Sequence, residues 1–250
     1  MPAKQNINNI FFDGMYKEVW RSIIPAGLTE AECDFIIDEA QLSSGDKVLD
    51  IMCGYGRHSL ELARRNCNVT AVDNLPDYIE EIRKISLSEN LSVNAIVSDT
   101  IQMNVDGVYD CVICMGNSFA FFDRKDALAL LKKISSLLKK EGVLIINSWM
   151  IAEIAIKYFK EHDWHYSGDY KCILENKFLF HPSRIETEQT IISATGEIEM
   201  VKGVDYIFTL NELEEMFSIA GMHTKGLYST PRKRKFTLGD SRIYLVVEKL

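Results

Sequence analysis

The stretch Val48-Leu49-Asp50-Ile51-Met52-Cys53-Gly54-Tyr55-Gly56-Arg57-His58 leaves the chain few folds to choose from. Lys47 to Ile51 is apolar and short enough for a buried parallel strand, and Arg57 to Arg65 carries Leu60, Leu62 and Ala63 at helix-compatible positions. A second strand is predicted over Val69 to Asp73, so the order is strand, glycine turn, helix, strand. Gly54 and Gly56 at the turn permit a tight path and a close ligand approach, while the first free N–H groups of the helix point into the same space. Asp73, at the end of the second strand, can accept both hydroxyl hydrogens of a ribose. Together these features read as a nucleotide site.

Which nucleotide follows from two departures. A dinucleotide turn asks for a third glycine or alanine, where this chain has Ser59, and here a carboxylate, Asp50, ends the strand. Asp50 repels phosphate and suits a ligand that bears an ammonium group. Val48 to His58 resembles the first motif of class I S-adenosylmethionine (SAM)-dependent methyltransferases, above all a bacterial small-molecule branch with Cys-Gly-x-Gly-Arg-His. The resemblance implies cofactor contacts from Asp50, Cys53, Gly54, Gly56, Arg57, Asp73, Asn74 and Leu75. Many relatives carry Gly or Ala where this chain has Met52, so the longer side chain is expected to narrow the approach of the cofactor's methionine end.

Further site candidates follow the later strands. Val93 to Val97 runs into Ser98-Asp99-Thr100, where Asp99 is either a plain loop-capping aspartate or, as the resemblance implies, a neighbour of adenine, with Thr100 beside it. The strand Tyr109 to Met115 leads into Gly116-Asn117-Ser118-Phe119-Ala120-Phe121-Phe122, which resembles the Asn-Ser-Phe-x-x-Phe segment of the same branch. That likeness implies Met115 and Asn117 at the cofactor and Ser118, Phe119 and Phe122 at the acceptor. Aromatic faces attract a cationic methyl donor, although these rings can equally seal the core. Trp149, at the end of a fifth strand, is expected to line the acceptor pocket. Ile7 to Trp20 reads as one amphipathic helix, and by resemblance its Tyr16 reaches the cofactor carboxylate, with Trp20 the second candidate.

The remaining elements complete an α/β architecture. Thr29-Glu30-Ala31-Glu32 predicts a capping box and a helix to about Leu42, and Pro76 opens another helix. Ala127 to Lys140 predicts an amphipathic helix stopped by Gly142, before the fifth strand at Val143 to Asn147. After Ile151 the rhythm breaks. A helix-like piece and His162 to Tyr166 precede alternating runs at Cys172 to Phe180, Arg184 to Ser193 and Glu197 to Phe208, which read as inserted antiparallel strands. Thr209 and Glu212 form a second capping box. The resemblance implies a Rossmann-like, mostly parallel seven-stranded sheet flanked by helices, with the insertion as a lid over the acceptor. The expected segments are a helical cover (1–45), a cofactor-binding core (46–150), the lid (151–208) and a C-terminal helix with strands (209–250).

A hydroxyl acceptor would benefit from a base, for which His165 and Tyr166 are candidates against a plainer solvated or structural role. Pro231-Arg232-Lys233-Arg234-Lys235 is the only dense basic cluster: either a solvated loop, or a site where Arg232 and Arg234 receive an anionic acceptor. The net charge of −8 argues against a nucleic-acid coat. No charged-then-apolar leader opens the chain and no apolar run reaches membrane-span length, so a soluble cytoplasmic protein, monomer or homodimer, is expected. Six cysteines without regular spacing read as reduced thiols; Cys111 and Cys114, three apart in a strand, point to opposite faces and so would not share a metal, and none is expected. Two other functions compete with SAM-dependent methyl transfer to a nitrogen or oxygen of a small molecule: a nicotinamide-dependent oxidoreductase and a catalytically silent SAM-binding regulator.

Overall fold

Alternation along the central strands sorts their apolar side chains to two faces, and helices cover both. The computed structural model describes residues 6–250, so the first five residues of the expected N-terminal cover lie outside it. In chain order the elements are α1 (Tyr16–Ser22), α2 (Leu28–Ala40), β1 (Lys47–Ile51), α3 (Arg57–Arg64), β2 (Asn68–Asp73), α4 (Pro76–Glu89), β3 (Val93–Val97), β4 (Tyr109–Cys114), α5 (Arg124–Leu137), β5 (Leu138–Ser148), α6 (Ala152–Tyr158), β6 (His162–Ser167), β7 (Tyr170–Phe180), β8 (Ser183–Ile192), β9 (Ile198–Tyr206), α7 (Leu210–Ile219), β10 (Met222–Tyr228) and β11 (Ile243–Lys249). Short 3-10 turns span Ile7–Ile10 and Ser118–Phe121.

Seven strands form one sheet in the order β10-β11-β5-β4-β1-β2-β3, parallel from β5 to β3, with β11 antiparallel to both of its neighbours. Leu49, Val112, Cys114 and Leu144 pack with Leu130 of α5 and Phe217 of α7. Val48, Cys111, Ile113 and Ile145 face the other way, against Phe35 of α2 and Leu62 of α3. Cys111 and Cys114 therefore lie on opposite faces of the sheet. The order turns back between β1 and β4, and in open α/β sheets ligands bind beyond the strand ends at such a point. The turn after β1 lies there. A second, antiparallel sheet, β6-β7-β8-β9, is inserted between α6 and α7.

Four local expectations change. Ile7 to Trp20 is not one helix, because the chain turns between the 3-10 piece and α1 and lets Phe11 and Phe12 pack edge-on against Tyr16. The first capping box does not form. Gly27 in the left-handed region is the N-cap of α2, and Thr29 and Glu32 turn to Arg57 instead. The helix expected to reach Lys140 stops at Leu137, since Leu138 pairs with Tyr109 and Lys139 Nζ reaches Asp110 Oδ1 at 2.5 Å, both of which hold the backbone in β5. His162 to Ser167, not anticipated as a strand, is β6 at the edge of the inserted sheet. The second capping box does form, with Thr209 and Glu212 bonding each other's backbone N–H. Among the described residues, no helix is long and apolar enough to cross a membrane.

Candidate active site

The turn between β1 and α3 is built from three consecutive constraints. Met52, Gly54 and Gly56 all have positive φ, at 55°, 56° and 80°. A Cβ on Gly56 would lie 2.5 Å from Ile82 Cγ1 of α4, so this glycine is required by conformation and by packing; a Cβ on Gly54 would meet nothing within 4 Å. Gly56 thus shapes the turn from behind, while Gly54 faces the open cavity. Asp50 is 1% exposed and accepts a 2.6 Å hydrogen bond from Ser59 Oγ. The residue that breaks the dinucleotide pattern is therefore the partner of the carboxylate that breaks it too. Burial pushes the Asp50 carboxyl up to about 7, with the charge of Asp73 adding to the rise and Ser59 and Arg57 opposing it. Asp73 accepts from Gly54 N at 2.8 Å and Leu75 N at 3.0 Å, which fixes its carboxylate at the end of β2.

Asp50, Cys53, Gly54, Arg57, Asp73, Asn74, Leu75, Asp99, Thr100 and Met115 all line the cavity above this turn. Asp99 takes the capping role foreseen for it, Oδ1 accepting from Ile101 N at 2.8 Å and Gln102 N at 3.2 Å, and it also lines the cavity. Ser118 and Phe122, expected on the acceptor side, line this first cavity instead. The N-terminal segment roofs it. Asn74 Nδ2 donates to Asn9 O at 2.8 Å, Asn6 Nδ2 to Phe121 O at 2.8 Å, and Tyr78 OH to Phe12 O at 3.2 Å. Asn8 exchanges two hydrogen bonds with the backbone of Val204 and so ties the roof to β9.

Beneath the site lies a buried charge network that accounts for the Arg-His pair of the motif. Glu32, 0% exposed, contacts Arg57 Nη1 at 2.6 Å and His58 Nε2 at 2.9 Å, and accepts from Tyr244 OH at 2.7 Å. Burial pushes the Glu32 carboxyl up, but the His58 hydrogen bond, the Arg57 charge and the Tyr244 hydroxyl together hold it down at about 2. Burial, and then the Arg57 charge, lower the His58 pKa, so His58 donates as a neutral ring and Arg57 is the ionic partner.

A second cavity opens beside the first. Asn8, Phe12, Trp20, Gly116 and Phe121 line both, which makes them the neck between the two. A Cβ on Gly116 would sit 3.1 Å from Trp20 Cζ2, so glycine is what lets the indole close against the β4 loop. Cross-strand pairing puts Asn176, Thr187 and Gly203 side by side, and Phe178, Ile185 and Asp205 likewise, so the inner face of the inserted sheet becomes the wall of the second chamber. Trp149, expected at the acceptor, lines this second chamber, its ring 6.3 Å from that of Trp20. Asn117 lies on this side, not at the first cavity. Its Oδ1 accepts from Ser148 Oγ at 2.7 Å, Trp149 N at 3.1 Å and Met150 N at 3.2 Å, and its Nδ2 donates to Asp205 Oδ1 at 3.0 Å.

Several expected residues are elsewhere. Tyr16 lines the second chamber, not the cavity above the glycine turn, because the turn after Ile10 swings α1 toward the inserted sheet. Gly56 and Phe119 line neither cavity; Phe119 is packed in the core. His165 and Tyr166 stand on the edge strand β6, exposed and outside both cavities, with Tyr166 68% exposed. Arg232 and Arg234 are on the exposed β10–β11 connection, where Arg234 pairs with Asp240 at 2.6 Å, and neither lines a cavity. The residue sequence reasoning missed is Asp205. The only available signal was an acidic side chain amid the alternating residues of β9, which shows its direction only once register is known.

This sheet order, with helices on both faces and a cavity at the glycine turn, is the Rossmann-like fold of class I methyltransferases. Residues 48–142 match the family described as "Methyltransferase domain". The chain is 30% identical over 145 residues to the glycine/sarcosine/dimethylglycine N-methyltransferase of Actinopolyspora halophila, covering 56% of this chain and 26% of that one. It is 28% identical over 166 residues to the glycine/sarcosine N-methyltransferase of Aphanothece halophytica, covering 64% and 62%. The chain thus spans only part of the length of these relatives. Over nearly its whole length it superposes on an S-adenosylmethionine-dependent methyltransferase from Clostridium acetobutylicum, with TM-score 0.81, 18% identity, and coverage of 94% and 96%.

Proposed function

We propose that the protein is a SAM-dependent methyltransferase acting on a nitrogen or oxygen of a small molecule. The observation that carries this reading is a pair of cavities joined at an aromatic neck, one of them lined by Asp50, Asp73 and Asp99 beside a glycine turn. Such a lining fits SAM and rejects a diphosphate, since Asp50 stands where the phosphates of a dinucleotide would sit. Asp50 receives the ammonium, Asp73 the ribose hydroxyls and Asp99 the adenine amine. SAM supplies a methyl group already activated on a sulfonium. The chain's own task is alignment and exclusion of water, a contribution that can reach roughly 7–11 kcal/mol. Phe12, Trp20 and Phe121 present aromatic surfaces to the methyl at the neck, and aromatic faces favour a cation there. The matched relatives named as glycine/sarcosine N-methyltransferases support a small acceptor. Six free cysteines, all buried, support action in a reducing cytoplasm.

Calorimetric titration with S-adenosylhomocysteine (SAH) and with NADH tests the reading. Tight SAH binding with no NADH binding is the expected result; the reverse refutes it in favour of an oxidoreductase. SAH binding without methylated product from any pool of amine and hydroxyl metabolites identifies a silent binder.

A further inference from the structure

Among the described residues Asp205 is the one carboxylate lining the second chamber, and no ion pair there accounts for its charge. It projects from β9 on the inner face of the inserted sheet, across the neck from the turn after β1. Asn117 Nδ2 holds its Oδ1 at 3.0 Å, and among the described residues no donor reaches its Oδ2. Asn117 is itself fixed by three donors to its Oδ1, so the carboxylate is held by a rigid partner. Tyr16, Trp20, Trp149, Tyr158 and Phe159 line the same chamber. A carboxylate with one free oxygen among aromatic rings is a receptor for a nitrogen cation: the rings attract it through their faces, and the oxygen takes its proton.

We propose that Asp205 receives the acceptor and that the acceptor is therefore an amine, presented to the neck from between these rings. The proposal rests on the methyl-transfer reading. The amine enters as an ammonium, paired with Asp205. Its proton passes to Oδ2, which frees the nitrogen lone pair. The lone pair forms the new N–C bond as the C–S bond of the sulfonium donor breaks, its electron pair remaining on sulfur. Sulfur ends neutral, nitrogen ends positively charged, and Asp205 returns its proton to solvent. Geometry places the carboxylate for this exchange, and its acidity matches. Burial pushes it up to about 7, partly offset by the Asn117 bond, which is poised for proton exchange near neutrality. The other ionisable groups lining the chamber are Tyr16 from α1, Tyr158 from α6 and Lys160 from the segment before β6. Tyr16 stays neutral because burial raises its pKa, Tyr158 donates to Gly239 O at 2.8 Å, and Lys160 is paired with Asp163 at 3.1 Å.

Calorimetry on the SAH-saturated protein tests this with matched pairs of probes, from ethylamine and ethanol to 2-phenylethylamine and 2-phenylethanol. At pH 8 at least one amine binds about tenfold or more tighter than its alcohol, the scale of a charge-assisted hydrogen bond. That preference shrinks toward pH 6, as Asp205 takes up its proton. Asp205→Asn keeps an oxygen for Asn117 and removes the charge; it abolishes both the preference and its pH dependence, with SAH affinity within about twofold of the original. No amine preference anywhere in the set, a preference indifferent to pH, or one that survives D205N overturns the proposal. The wild-type comparisons decide it even if D205N fails to fold. Failure of SAH to bind at all refutes the methyl-transfer reading instead.

Discussion

Replacing Glu32 tests whether the charge beneath the turn is structural. The carboxylate is 0% exposed and sits against Arg57, whose side chain is only 11% exposed, with His58 and Tyr244 completing its shell. Glu32→Gln keeps the shape but leaves the guanidinium without a counter-charge. Breaking a buried pair in this way costs about 3–5 kcal/mol. For a chain of 250 residues that lowers Tm by about 6–20 °C, at about 2–4 °C per kcal/mol. Melting followed by circular dichroism at pH 7 reads the shift directly. The pH dependence adds a sign. The Glu32 carboxyl is depressed on folding, so its contribution is complete above its ordinary range near 4.5 and is lost as pH falls through about 2. The gap between wild type and E32Q therefore stays level from pH 8 to pH 5 and closes only at lower pH. A Tm change within about 2 °C, or a gap that closes near neutrality, refutes the reasoning.

Three further outcomes follow from the site. SAH affinity falls as pH drops through about 7, where Asp50 gains its proton, and Ser59→Ala, which removes the donor to that carboxylate, moves the midpoint to higher pH; calorimetry across pH 6 to 9 reads both. Met52→Val forces a β-branched residue into a left-handed backbone at φ 55° and lowers stability by about 1–3 kcal/mol in a denaturant melt, whereas Met52→Gly costs less. Reversing Arg232 and Arg234 together to glutamate leaves kcat/KM for the acceptor within about twofold, because both lie on an exposed connection away from the cavities.

How far the sequence reached depended on whether a residue's role is set locally. The turn at Met52 to Gly56, the strand and helix on either side of it and the Thr209–Glu212 box are fixed within a few residues, and spacing alone located them. Glu32 shows the limit. Its spacing to Thr29 is that of a capping box, yet Tyr244, which lies 212 positions along the chain, and the Arg57-His58 pair offer a buried carboxylate more than the helix end does. A local rule cannot weigh partners that only the sheet order brings together. Asp205 fails for the same reason, since facing inward depends on pairing with Ile185. Phe119 and Phe121 divide between core and neck because the 3-10 turn after Asn117 sets which ring points where.

Charge offers a check on the two cavities taken together. Their lining carries Asp50, Asp73, Asp99 and Asp205 against Arg57 and Lys160, and both cations already have carboxylate partners, Glu32 and Asp163. An interior with that surplus favours cations on both sides of the neck. Methyl transfer from a sulfonium to an uncharged amine does not destroy a positive charge; it moves one from sulfur to nitrogen. Asp205 is neutral while it holds the amine's proton and the lone pair attacks; it regains its charge as that proton leaves, so the product ammonium meets a counter-charge where the positive charge has arrived. Asp50 and Asp205 stand on opposite sides of the neck, each raised to about 7 by burial and each anchored by one side-chain donor, Ser59 and Asn117. An oxygen acceptor makes no such demand, because methylation of an alkoxide cancels the charge and leaves Asp205 facing a neutral ether. A half-buried carboxylate on the acceptor side is thus an electrostatic cost that amine methylation offsets and oxygen methylation does not.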